Sequence, residues 1–211
     1  IWRFCWSTNF NMTLTLAFTH VGTLVVGWFL GPTDAALYRI ARQVGAAIAK
    51  PAKLATPALY PELARLWASG STQNLYRLAL RVGLAAGAVA SVLLFLVGFA
   101  DEFILGTVIG PDFIPAGPVM FWLVTASVIS IWGLPLEPLL ISTGRASTAL
   151  SIRAAITLIY LPTLMFALHN VGLMGAGYAP VAAQIVMLGT QIFFVLRLRA
   201  TTPLNIPGPA H

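Results

Sequence analysis

Of the 211 residues, 58% are hydrophobic and only 9% charged, against about 25% charged residues in an ordinary soluble domain. With a mean hydropathy of +0.86, that composition excludes a soluble globular enzyme, and it also excludes a disordered tail, which needs low hydrophobicity and high net charge. The net charge of +6 could serve nucleic acid, but in so apolar a chain Lys and Arg mark the cytoplasmic loops of a polytopic membrane protein. The expected partner is therefore the lipid bilayer and not nucleic acid. Cys5 is the only cysteine and His20, His169 and His211 are scattered, so no disulfide, metal site or cofactor is expected. Residue 1 is Ile, and residues 1–30 lack the basic start, short apolar core and cleavage site of a signal peptide. Such a start suggests a truncated chain or a piece of a longer one.

At about 20 apolar residues per crossing, the chain has room for six transmembrane helices. The hydropathy pattern predicts spans over about 10–30, 35–60, 78–100, 114–141, 146–168 and 173–196, with a Pro-rich cytoplasmic tail at 201–211. The first span stops at the turn-forming Gly31-Pro32-Thr33-Asp34, and the later turns fall at Ser142-Thr143-Gly144-Arg145 and His169-Asn170-Val171-Gly172. Arg3, Arg65, Arg77, Arg81, Arg145, Arg197 and Arg199 all fall on one side of this arrangement. The connections on the other side, including the acidic segment 101–113, contain no Lys or Arg. The positive-inside rule then puts both termini in the cytoplasm of a multi-pass protein of the plasma or inner membrane.

Gly83 and Gly87 form a small-xxx-small pair that lets helices approach closely. Trp132 lies away from the predicted interfaces, where Trp2, Trp6 and Trp28 fall, and is expected to pack between helices. Pro51, Pro57, Pro118, Pro135, Pro138, Pro162 and Pro180 recur inside spans. Each frees a backbone carbonyl, which in a membrane must be buried in protein or meet water.

The second span is the unusual one. Arg39, Arg42, Lys50 and Lys53, spaced by three, eight and three residues, fall within an arc of about 80° on a helix. Each costs about 2.5 to 3.5 kcal/mol at the bilayer centre, so four facing lipid could total on the order of 10 kcal/mol. Two readings stand: a stripe lining a hydrated anion path suited to phosphate, or side chains snorkelling to the two interfaces. The first is favoured because Lys50 is hard to rescue by reach alone. Glu137, between Pro135 and Pro138, is either a coupling residue or half of a structural ion pair with the stripe or with Arg153. His20 lies in mid-span, where it either relays protons or hydrogen-bonds a neighbouring helix. No catalytic constellation can be read from the chain.

Taken together, these residues and turns are similar to a known family. The run from Leu30-Gly31 through Tyr38 to Ala41 resembles the start of a helix pair in polysaccharide flippases, the oligosaccharide branch of the multidrug/oligosaccharidyl-lipid/polysaccharide exporter superfamily. Tyr60-Pro61-Glu62-Leu63-Ala64-Arg65-Leu66 looks like that family's Pro-containing helix end, and Ile109-Gly110-Pro111-Asp112-Phe113 with Ala116 like its outer loop. Thr143-Gly144-Arg145 resembles its inner turn, and Gly172, Gly175, Ala176, Gly177 and Ala179 the start of the last helix of a half. Ala36 stands where the family often has Gly before the Tyr.

The resemblance implies an all-α bundle forming the second half of a twelve-helix exporter, with a missing N-terminal half or a second six-helix chain completing a central cavity. By the same token it implies translocation of a lipid-pyrophosphate-linked oligosaccharide for cell-surface polysaccharide such as O-antigen or lipopolysaccharide, not an enzymatic reaction. Arg39, Arg42, Lys50 and Lys53 would hold the pyrophosphate during alternating access. The rivals are a cation or drug antiporter of the same superfamily, a membrane-bound glycan-assembly enzyme and a packing subunit or inert remnant. An antiporter should show acids in its cavity, and a glycan-assembly enzyme large outer loops.

Overall fold

The computed structural model of the chain describes residues 21–103 and 115–201, and every regular element longer than a single turn among them is an α-helix. In chain order these are α1 (Val21–Leu30), α2 (Pro32–Ala68), α3 (Thr72–Phe103), α4 (Gly117–Trp132), α5 (Leu136–Ser142), α6 (Ala146–Val171) and α7 (Leu173–Thr201). The part of the first predicted span before residue 21, His20, most of the acidic segment and residues 202–211 of the tail lie outside the described residues.

Four segments are long and apolar enough to cross a membrane: Thr72–Phe99, Gly117–Ser142, Ala146–Val171 and Leu173–Leu198. This is a membrane protein with transmembrane helices. α2 has the length, at 37 residues, but its charges keep it out of that set. α1 contributes ten described residues.

Two helices differ from the predicted spans in length or continuity, each for a reason in the backbone. First, the second helix does not end near residue 60. Pro61 sits inside α2, and the helix runs on to Ala68, where Gly70 at φ 71° closes it. The amide of Gly70 donates to Trp67 O at 3.0 Å and that of Ser71 to Leu66 O at 3.1 Å, the paired bonds of a Schellman cap. The turn after α5 is built the same way: Gly144 sits at φ 80°, its amide donates to Ile141 O at 3.1 Å and that of Arg145 to Leu140 O at 3.0 Å. Second, the 114–141 span is not one helix. Pro135 and Pro138 lack the amides that would bond Ile131 and Leu134, so the ladder lapses over 133–135 into three-residue steps, Leu134 N to Ile131 O and Leu136 N to Gly133 O.

α4 is the hub of the bundle, packed on α2, α3 and α7, while α6 lies on α7. Its Val119, Met120, Val124, Val128 and Ile131 are buried and join Tyr38, Ala41, Ala49, Ala90, Leu164 and Ala176 in the main core. Two smaller cores, one around Leu63, Leu75 and Leu139, the other around Leu140, Ile152 and Leu198, close the end that carries the turns at 69–71 and 143–145. Because lipid tails are as apolar as Leu, helices in a membrane associate by close packing rather than by leaving water. The small residues therefore decide the contacts. A methyl on Gly87 would overlap the Trp132 indole, and one on Gly83 would lie 3.2 Å from Pro135 Cγ, so the small pair of α3 seats the broken helix as expected. Trp132 lies against α3, with its Nε1 donating to Ser91 Oγ at 3.3 Å, but it stays partly exposed rather than enclosed between helices.

Candidate functional site

α2 carries two longitudinal lines of residues with different fates. Tyr38, Ala41, Gly45 and Ala49 recur every three or four residues and are buried, the periodicity of a helix face pressed against a neighbour. That neighbour is α4: a methyl on Gly45 would lie 2.9 Å from Ser127 Oγ and 3.1 Å from Leu123 O. Beside this line runs the basic stripe. Arg39, Lys50 and Lys53 are exposed and Arg42, nearest the packed line, is half-buried. Neither Arg65–Glu62, at 2.7 Å, nor Arg153–Glu137, at 3.1 Å, takes up a stripe cation, and among the described residues Arg39, Lys50 and Lys53 make no ion pair.

The backbone under the stripe is polar too. Pro51, Pro57 and Pro61 lie inside α2 and offer no amide to the carbonyls of Ala47, Lys53 and Pro57. The other outward surfaces look different. α3 presents Leu80, Leu84, Val89, Val92, Phe95 and Phe99, and α6 and α7 present Leu158, Ile159, Phe166, Ile185, Val186 and Phe193, surfaces that suit lipid. The bundle thus has apolar flanks and one cationic, proline-interrupted face.

One polar contact links that face to α6, and a second links α6 to α5, which packs on α2. At one end the hydroxyls of Tyr38 and Tyr160 share a hydrogen bond within electrostatic reach of Arg42, and Gly22 of α1 sits against both, its would-be methyl 3.1 Å from Tyr38 Oη and 3.7 Å from Tyr160 Oη. At the other end Arg153 Nη1 donates to Glu137 Oε1 at 3.1 Å, with Tyr60 in electrostatic reach of both. Glu137 lies in the first turn of α5, just past the break made by Pro135. The ion pair named as one reading of Glu137 therefore forms, with Arg153 as its partner. The position of His20 lies outside the described residues.

The sequence reading brought Arg39, Arg42, Lys50 and Lys53 onto one face; the structure carries all four on one uninterrupted helix, three exposed and Arg42 half-buried. It did not single out Tyr160, nor Tyr60 as a neighbour of Glu137. The available clue was general: a buried tyrosine hydroxyl must find a partner, and Tyr38 and Tyr160 both sit among apolar residues. Among the described residues no three His, Cys, Asp or Glu gather as a metal site. The arrangement is suited to holding an anion by charge and by forked hydrogen bonds from Arg.

No family model matches the chain, and no solved structure matches it. The chain is similar to the inner membrane protein YghQ of Escherichia coli strain K12, at 31% identity over 115 residues. The aligned stretch is 54% of this chain and 32% of that relative, so this chain spans about a third of the protein it matches.

Proposed function

We propose that this chain is part of a multi-pass transporter of the inner membrane that carries a lipid-pyrophosphate-linked oligosaccharide across the bilayer, and that it performs no bond chemistry. The observation that carries the reading is the cationic face of α2. Arg39, Lys50 and Lys53 stand exposed over a backbone whose prolines withhold three helix amides, which fits a hydrated, anion-holding surface and is costly against lipid. Its outward exposure fits a cavity completed by further sequence or by a second copy of the bundle. α1 and α2 would serve as the first two of six spans, with the Arg65, Arg77, Arg81, Arg145 and Arg197 end in the cytoplasm. The location in an inner membrane agrees with the name of the relative.

A cation antiporter is the weaker reading because Glu137, the acid of the α5 break, is already engaged by Arg153, and bases outnumber acids along α2. The test is reconstitution of the complete polypeptide in liposomes with a labelled lipid-pyrophosphate oligosaccharide. Protein-dependent translocation that falls at least tenfold in Arg42→Gln and Lys50→Gln supports the reading. Translocation untouched by both substitutions refutes it.

A further inference from the structure

Beyond the stripe itself, the structure carries a second basic element whose charge is held in check. On α2, Arg42, Lys53 and Tyr60 are separated by eleven and seven residues, which at 100° per residue places them within about 20° of one line along the helix. α2 packs on α5, which carries Glu137, and both ends of the line lie in electrostatic reach of α6 side chains. Arg42 is in electrostatic reach of the Tyr38–Tyr160 pair, and Tyr60 is in electrostatic reach of Arg153 and Glu137. On α6, Arg153, Thr157, Tyr160 and Leu164 are spaced by four, three and four residues, so they share one face. Leu164 is fully buried on that face and Tyr160 packs against the main core. Arg153 therefore belongs to the interior side of α6, two turns from Tyr160, although its side chain keeps 58% exposure and Glu137 keeps 28%.

We infer that Arg153 is a fifth cation of the anion path, held by Glu137 when the path is empty and handed to the pyrophosphate when it arrives. The inference rests on the transport reading of the stripe. Lys53 and Tyr60 are two turns apart, about 10 Å of helix rise, so an anion moving along the Arg42–Lys53–Tyr60 line reaches the Glu137–Arg153 pair at its end. The pair is a single bond at 3.1 Å between one guanidinium nitrogen and one carboxylate oxygen, and both side chains keep part of their surface uncovered. Exposed pairs of this kind hold weakly, whereas a pyrophosphate offers Arg153 a forked partner with more charge. Glu137 is thus a competitor for Arg153: it keeps the guanidinium positioned on α6 and is displaced by the stronger anion. Tyr60 is in electrostatic reach of both groups.

The experiment uses the complete polypeptide in lipid nanodiscs and measures the affinity of inorganic pyrophosphate for the wild type and five variants. Glu137→Gln removes the competitor and is expected to tighten binding by about two- to fivefold, the range of an exposed ion pair. Arg153→Gln removes the cation and is expected to weaken it by about tenfold, the scale of a hydrogen bond to a charged group. Adding Glu137→Gln to Arg153→Gln should then change nothing further, because the competed group is gone. Arg153→Lys, which keeps the charge, should retain most of the affinity, and it keeps the proposal testable if Glu137→Gln does not fold. Weaker binding in Glu137→Gln, or unchanged binding in Arg153→Gln, would reduce the pair to a structural tie and overturn the inference. A stripe that still loses pyrophosphate on Lys50→Gln would in that case leave the transport reading standing. Wild-type protein that binds no pyrophosphate would overturn both.

Discussion

Replacing Gly45 with Ala should loosen the seat of α2, and the size of the effect can be worked from the contacts around it. A methyl at Gly45 meets Ser127 Oγ at 2.9 Å, Leu123 O at 3.1 Å and Leu123 C at 3.3 Å. Two of these are backbone atoms of α4, and the third is held, since Ser127 Oγ donates to Leu123 O at 3.0 Å. None of the three can swing aside, so α2 must shift, at an overpacking cost of about 1 to 3 kcal/mol. Ala in a helix interior recovers about 0.5 to 1 kcal/mol relative to Gly, leaving a net loss of about 1 kcal/mol. Gly189 in α7 supplies the control, because nothing lies within 4 Å of its would-be methyl. There the same substitution should stabilise by the propensity term alone, about 0.5 to 1 kcal/mol. The propensity terms cancel in the comparison, so the difference between the two variants isolates the steric term at about 1 to 3 kcal/mol. Denaturant titration of the purified complete polypeptide in detergent micelles reads both. Equal shifts for Gly45→Ala and Gly189→Ala would refute the claim that Gly45 sets the approach of α2 to α4.

The tyrosine pair makes a second prediction: Tyr38→Phe and Tyr160→Phe should each cost about 1 to 3 kcal/mol, because each strands the other hydroxyl. The double variant should cost less than the sum, which a double-mutant cycle measures directly. At the turn after α5, Gly144→Ala should cost about 1 to 2 kcal/mol for forcing a side chain into φ 80°, with Gly144→Asn losing less. Comparing the denaturation midpoints of the two variants decides it.

The helical class and the line of bases along α2 were legible because both are periodic features. Arg39, Arg42, Lys50 and Lys53 share a face whatever the tertiary structure does, provided the helix continues through Pro51, and it does. The place where α2 ends was not legible. Tyr60-Pro61 reads as a stop, since proline disfavours helix in the residue before it, but Leu63 and Leu66 pack into the core with Leu75 and Leu139. That burial carries the helix to the glycine cap at Gly70. The break at 133–135 was visible as two prolines, yet which of the seven prolines would break its helix and which would be absorbed was not. Pro162 and Pro180 are absorbed within α6 and α7, while Pro135 and Pro138, three residues apart, remove the rungs to Ile131 and Leu134 within one turn. Partner choice was the least readable. Glu137 had several bases within reach on paper, and only the placement of α5 against α6 selects Arg153.

The central claim is that the stripe of α2 faces water and anions rather than lipid. Cysteines placed singly at Lys50 and Lys53, in a cysteine-free background of the complete polypeptide, can be probed in sealed membranes with a charged, membrane-impermeant thiol reagent. The account predicts that Lys50→Cys and Lys53→Cys are labelled rapidly and that pyrophosphate slows the labelling. Resistance of both positions to the charged reagent, together with ready labelling by a lipid-soluble maleimide, would place the stripe against the bilayer and contradict it.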